Sequence, residues 1–158
     1  MARHTFFSFH YERDVWRAGQ IRNSWVTQDR VASGFFDKAA WEEVKKKGDA
    51  AIKAWIDKQL VGTTVTVVLI GAETAVRDYV KYEITRSWAR GNALLGIYIH
   101  NLKDASQKTD TKGDNPFSQW SFERADAVVS IPTYDWVSDN GYRNLGSWIE
   151  TAAKAVNR

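Results

Sequence analysis

In the segment VRDYVKYEITRSW, residues 76–88, one carboxylate stands among tyrosines and arginines. Val76, Val80, Ile84 and Ser87 recur at helical spacing and mark an inward face. Glu83 falls roughly 60° to one side of that face at about 100° per residue, with Tyr79 one turn earlier. Two chemistries fit such a boundary position. Glu83 can pair with Arg86, three residues on, and pack against Tyr79, a surface arrangement worth roughly a few tenths of a kcal/mol. It can also be a reactive carboxylate that acts on an electron-poor carbon or a sugar hydroxyl. Periodicity alone favours the ion pair.

Other catalytic sets are poorly supported. The chain has no cysteine, which removes disulfides, thiolate catalysis and cysteine-ligated metals. Its three histidines, His4, His10 and His100, have no HxxxH spacing, so no metal is expected, and His100 reads as a partly buried, hydrogen-bonded residue. Ser8, His10 and an aspartate could be drawn as a triad, yet no GxSxG elbow supports one.

The elements that must position these residues alternate along the chain. HTFFSFH at 4–10 reads as a first strand, Asp14 to Trp25 as a helix with Val15, Gln20, Ile21 and Trp25 near helical spacing, and VASGFFD at 31–37 as a second strand. The clearest helix spans 41–60. Gly48-Asp49 interrupts its rhythm, so 41–47 is expected to be a separate turn, with Asp49 capping the main helix and Gly62 ending it. TTVTVVLIG at 63–71 is a strand buried on both faces. The helix carrying Glu83 is expected over 73–90, closed by Gly91, followed by a strand at 92–102 and a polar loop at 103–117. A last strand lies within 126–136, and a final helix runs from Tyr142 to Val156 with Leu145, Trp148, Ile149, Ala152 and Val156 on its buried side.

This alternation predicts an α/β, flavodoxin-like fold: a five-stranded parallel sheet in the order 2-1-3-4-5 with helices on both faces, over a single domain of residues 1–158. In such a sheet ligands gather at the carboxyl ends of the strands where the order reverses, between strands one and three. That place receives Phe9, His10 and Tyr11, Gly71 to Thr74, and from the loop after strand two Asp37, Lys38 and Trp41. The result is an aromatic pocket mouth suited to stacking a purine or a nicotinamide. Familiar occupants of the fold drop out. There is no GxGxxG, no GxxxxGK[ST], no aspartate ending strand three, and no glycine–hydroxyl series after strand one to wrap a flavin phosphate.

The formal charge of +3 is small and scattered, and KKK at 45–47 is offset by Glu42 and Glu43, so nucleic acid is not an expected partner. The longest apolar run, Val67–Ile70, is far below a membrane span, and the first residues lack a signal-peptide core. A cytoplasmic protein without a membrane partner is expected. Trp25, Trp120 and Trp136 lie outside the periodic stripes and are expected to cover core edges, with subunit contact as the alternative.

FFSFHY, KKGDAAIKAWIDKQLVGTTVTVVLIGAET, YVKYEI and YDWVSDNGY, in this order, resemble the TIR-like proteins of the bacterial Thoeris anti-phage system, a divergent branch of Toll/interleukin-1 receptor domains. The similarity covers most of residues 4–149 and is weakest in the polar loop at 103–125. It implies a domain that cleaves the nicotinamide–ribose bond of NAD+. It further implies that the ribosyl product is cyclised, to a cyclic ADP-ribose type, or transferred, giving a signalling nucleotide that activates a separate effector. NAD+ is substrate, and no cofactor is retained. A phage-derived trigger and self-association belong to the same expectation.

The family's essential glutamate follows strand three, with an aromatic four residues earlier, which assigns the role to Glu83 with Tyr79 before it. Many relatives carry tryptophan at the Tyr79 position. Phe9 or Tyr11 is then expected to stack on nicotinamide, with Ser8, His10 and Asp37 on ribose and phosphate and Trp41 in the wall. A non-catalytic TIR-like interaction module and a nucleotide sensor without turnover remain the alternatives.

Overall fold

The computed structural model describes residues 4–26, 32–33 and 38–158. Seven strands and five helices follow in the order β1 (Thr5–Ser8), α1 (Val15–Val26), β2 (Ala32–Ser33), α2 (Lys38–Lys46), α3 (Asp49–Leu60), β3 (Val65–Ile70), α4 (Asp78–Ala89), β4 (Ala93–Tyr98), β5 (Glu123–Arg124), β6 (Ala127–Val128), β7 (Thr133–Asp135) and α5 (Gly141–Ala155). The main sheet is five-stranded and parallel in the order β2-β1-β3-β4-β7, which is the expected 2-1-3-4-5 arrangement once the small β5–β6 hairpin is set aside.

β3 is the centre of the molecule. Its VTVVLI sequence is β-branched almost throughout, and all six residues are buried because helices cover both faces. Alternation along the strand divides the side chains between two layers. Val65, Val67 and Leu69 join Phe7 in the larger core cluster with α1 and α5, through Ile21, Leu145 and Ile149. Val68 and Ile70 face the other way and meet Val80 and Ile84 of α4, together with Phe117 and Phe122. Register pairs Ser8 with Val68, so the last residue of β1 also points toward α4.

Polar contacts fix the height of α4 on the sheet. Thr66 Oγ1 donates to Ser87 Oγ at 2.8 Å, and Asn92 Nδ2 donates to Thr63 and Thr66 hydroxyls at 2.9 and 3.2 Å. All four groups are buried, and these bonds offset the desolvation they would otherwise suffer. Gly62 and Gly91, at φ +81° and +92°, let the chain leave α3 and α4 through the left-handed region.

Several expectations are corrected in detail. The segment before α4 is a 3-10 turn at Thr74–Val76, so α4 begins at Asp78 and Val76 is 70% exposed. In α1 the inward residues are Arg17, Ala18, Ile21 and Trp25, while Val15 and Gln20 are exposed. The break at Gly48 does separate two helices, but α2 is a full helix, Gly48 is the N-cap of α3, and Asp49 is its first residue without a capping bond. The last sheet strand, β7, is short and lies inside the expected 126–136; β6 of the small hairpin lies inside it too, and β5 falls just before it. The second strand lies inside the expected 31–37; residue 31 and residues 34–37 fall outside the described residues. Trp25 and Trp136 are buried and Trp120 is half-buried, as expected of core-edge covers.

The polar loop after β4 is indeed irregular, and α1 holds it down. Arg17, itself buried, donates to the carbonyls of Leu102 and Lys108 at 2.8 and 2.9 Å. Arg13 reaches across to Asp110 and Glu73. Among the described residues, no helix is long and apolar enough to cross a membrane.

Candidate active site

β1 ends at Ser8 with its hydroxyl turned toward α4, and the chain then bends through Tyr11–Arg13 before α1. That bend returns the Tyr11 ring to the same place. Ser8 Oγ donates to Glu83 Oε1 at 2.8 Å, and the Tyr11 phenol donates to Glu83 Oε2 at 2.5 Å. Glu83 is 0% exposed, so it is no boundary residue. The expected Glu83–Arg86 ion pair is absent: Arg86 Nε binds Asp57 at 3.2 Å on the outer surface. Glu83 turns inward because α4 is flanked by α3 as well as lying on the sheet, which widens its buried face beyond the stripe that periodicity marks.

Aromatic rings pack around this carboxyl group. Tyr11 meets Phe9 edge-on at 4.8 Å, Trp55 edge-on at 6.2 Å and Trp41 at 4.9 Å with a tilt of 41°. Trp41 in turn touches Tyr79 edge-on at 6.4 Å. The Tyr79 hydroxyl is anchored outside, donating to Asp49 Oδ1 at 3.0 Å.

The expected residues thus separate. Ser8 and Tyr11 bind the Glu83 carboxyl group directly; Phe9 and Trp41 are buried wall residues, and Tyr79 stands at the rim. His10 lies half-buried beside them, with Nδ1 accepting the Arg13 N–H at 3.1 Å. Asp37 lies outside the described residues. His100 is buried near the end of β4, with Nε2 4.0 Å from Asp135. No group of three potential metal-ligating side chains occurs among the described residues.

Burial dominates the electrostatics. Desolvation pushes the Glu83 carboxyl up to about 8 from an ordinary 4.5, and the hydrogen bonds from Tyr11 and Ser8 offset part of that shift. Burial also raises the Tyr11 phenol well above its usual value, with the adjoining Glu83 charge adding to the effect. At neutral pH these surroundings therefore favour the neutral acid. A neutral acid carries one proton of its own, so one of the two hydroxyl partners then accepts instead of donating. His10 is lowered by burial and then by the Arg77 charge, which favours neutral imidazole.

Two residues near the site were missing from the expected set. Trp55 meets the Tyr11 ring from α3; its helical spacing with Ile52 and Ile56 marks it as inward but not as part of the site. Asp14 is also 0% exposed, and Gly71 at the end of β3 lies so close that an added Cβ would stand 2.2 Å from Asp14 Oδ2. Burial pushes the Asp14 carboxyl up to about 6, against the pull of Arg17 and Arg13. Helical spacing puts Asp14 on the inward stripe of Ala18, Ile21 and Trp25, but an aspartate before a helix reads from its type as an exposed cap.

The arrangement offers a buried carboxyl group walled by aromatic rings, with two hydroxyl partners that could be exchanged for those of a ligand. The family model described as "Thoeris protein ThsB, TIR-like domain" matches residues 6–104, a span containing Ser8, Tyr11, Trp41, Tyr79 and Glu83. A protein of Bacillus cereus (strain MSX-D12) named "Putative cyclic ADP-D-ribose synthase ThsB1" is 38% identical over 152 residues, covering 95% of this chain and 76% of that protein.

Proposed function

We propose that this chain, which belongs to the ThsB family of TIR-like domains, cleaves the nicotinamide–ribose bond of NAD+ and forms a cyclic ADP-ribose-type nucleotide. The single observation that carries the reading is the buried Glu83 carboxyl group, held by Ser8 and Tyr11 at the switch point of the sheet. The name of the Bacillus cereus relative supports the cyclic product.

The chemistry needs one anion and little else. As the C1′–N bond breaks, its electron pair passes to the nicotinamide nitrogen, which leaves as a neutral pyridine without protonation. Positive charge collects on the ribose as an oxocarbenium ion, and a carboxylate beside it in a water-poor pocket stabilises that charge. Ribose hydroxyls take over Glu83 oxygens from Ser8 and Tyr11. The carbon is then captured by an adenine ring nitrogen of the same molecule, closing the ring, or by water whose proton passes to Glu83.

NAD+ also supplies the charge that readies the site. Its pyridinium favours ionised over neutral Glu83, so binding lowers the carboxyl from its raised resting value. The nucleotide is released to a separate effector in anti-phage defence, and neither step calls on a retained cofactor.

Complete satisfaction of both Glu83 oxygens favours one rival: a structural carboxyl that joins β1 to α4 in a non-catalytic module. Nucleotide mass spectrometry on cells carrying wild type or Glu83→Gln, with and without phage, separates the two. NAD+ loss and a new ADP-ribose-derived product in infected wild-type cells only are expected. Equal nucleotide profiles, with protection retained in both, would leave the module reading standing.

A further inference from the structure

Just outside the aromatic wall, one carboxylate is shared by cations from two different helices. Glu12 follows Tyr11, Lys45 lies one helical turn beyond Trp41, and Arg77 precedes Tyr79 by two residues. Glu12 Oε1 lies 3.2 Å from Arg77 Nη2 and 3.7 Å from Lys45 Nζ. The Arg77 guanidinium also sits 5.9 Å from the centre of the Tyr79 ring, which places it at the pocket rim. Each of the three is thus tied to a residue that closes the site over Glu83.

The pairing is incomplete as a structural device. Glu12, Lys45 and Arg77 are all partly exposed, a setting in which ion pairs contribute little to stability. Arg77 Nε is buried and has no hydrogen-bond acceptor, so the guanidinium fork is only half used. Arg77 is the N-cap of α4, and its side chain does not cap that helix, whose first turn presents its N–H groups at the same rim. Lys45 is also shared with Glu42 at 3.6 Å, so Arg77 is the stronger of the two sites.

We infer that Arg77, assisted by Lys45, grips the diphosphate of the substrate, and that Glu12 fills this grip as an internal stand-in for phosphate. Its placement beside Glu83 rests on the proposed NAD+ chemistry; the anion grip itself does not. A dinucleotide whose nicotinamide ribose reaches Glu83 carries its diphosphate one sugar away, toward the rim. There the guanidinium Nη2, once Glu12 is displaced, can donate to phosphate oxygens. The grip selects dinucleotides and nucleoside diphosphates over nucleosides, and Glu12 must be displaced for it to act.

Calorimetric titration of the full chain with ADP, and with adenosine as control, tests this. Arg77→Gln is expected to weaken ADP binding about tenfold through loss of a charge-assisted contact, while adenosine is unaffected. Glu12→Gln is expected to tighten ADP binding severalfold because the competing carboxylate is gone. General damage to the fold would lower both, so the opposite signs are diagnostic, and Glu12→Gln decides alone if Arg77→Gln does not fold. Unchanged ADP affinity in Arg77→Gln, weaker or unchanged affinity in Glu12→Gln, or wild type binding ADP no better than adenosine overturns the grip. NAD+ turnover is followed separately in cells. ADP binding that obeys both variants in a protein that never consumes NAD+ would overturn the Glu83 chemistry and leave the grip in place.

Discussion

Glu83 works against the stability of the molecule that holds it. Its folded pKa of about 8 lies above the ordinary 4.5, so the folded state binds the proton more tightly than the unfolded one. Stability is then greatest below about pH 4.5 and declines as pH rises through about 8. Glu83→Gln removes this dependence and is expected to stabilise the protein by on the order of 2 kcal/mol at neutral pH, with no advantage in mild acid. Chemical denaturation of both proteins at several pH values checks it; equal stability throughout would contradict the raised carboxyl. The reaction needs the ionised form, so kcat/KM should rise with pH toward a plateau above the Glu83 pKa in the free protein. Tyr11→Phe deletes a bond that favours the carboxylate and should move that inflection to higher pH. An unmoved inflection would show that Glu83 is not the titrating group.

At the scale of elements, the junction of β3 with α1 leaves no room for a side chain at Gly71. Gly71 has no Cβ, and that absence is what allows the Asp14 carboxylate to lie against the end of β3. Gly71→Ala must push Asp14 aside and is expected to destabilise by about 1–3 kcal/mol, the range of an overpacked core position. In an Asp14→Ala background the same change should be much milder, and a double-mutant cycle by denaturation reads the coupling. Additive effects would mean that the two do not meet. Such a contact spans 57 residues of sequence, from Asp14 to Gly71, and although Asp14 falls on the inward stripe of Ala18, Ile21 and Trp25, nothing local pairs it with Gly71. The α4 boundary was illegible for a related reason. Val76 fits the helical stripe of Val80 and Ile84, yet the chain is still in a 3-10 turn there, and the end of β3 determines where the helix can start.

For the whole molecule, stability is concentrated in the middle of the sheet. β3 is buried on both faces and paired on both edges, whereas β5 and β6 are two-residue strands with exposed or half-buried side chains. Hydrogen exchange should show the β3 amides protected to the level of global unfolding and those of residues 123–128 exchanging far sooner. Comparable protection in both would contradict this layering.

The five-strand order, the polar loop, the interruption at Gly48 and the last helix were legible in the sequence, because hydrophobic period and glycine placement are local properties, whereas the helix before Gly48 was read only as a turn. Glu83 was visible as a catalytic candidate through resemblance, while its local pattern favoured a surface ion pair. Tertiary structure alone decided that Arg86 goes to Asp57, that Glu83 receives Ser8 and Tyr11, and that Glu12 lies between Arg77 and Lys45. The physical reason is that these contacts join residues far apart in the chain. Their partners, and the burial that raises the Glu83 pKa, exist only once β1, α2 and α4 converge.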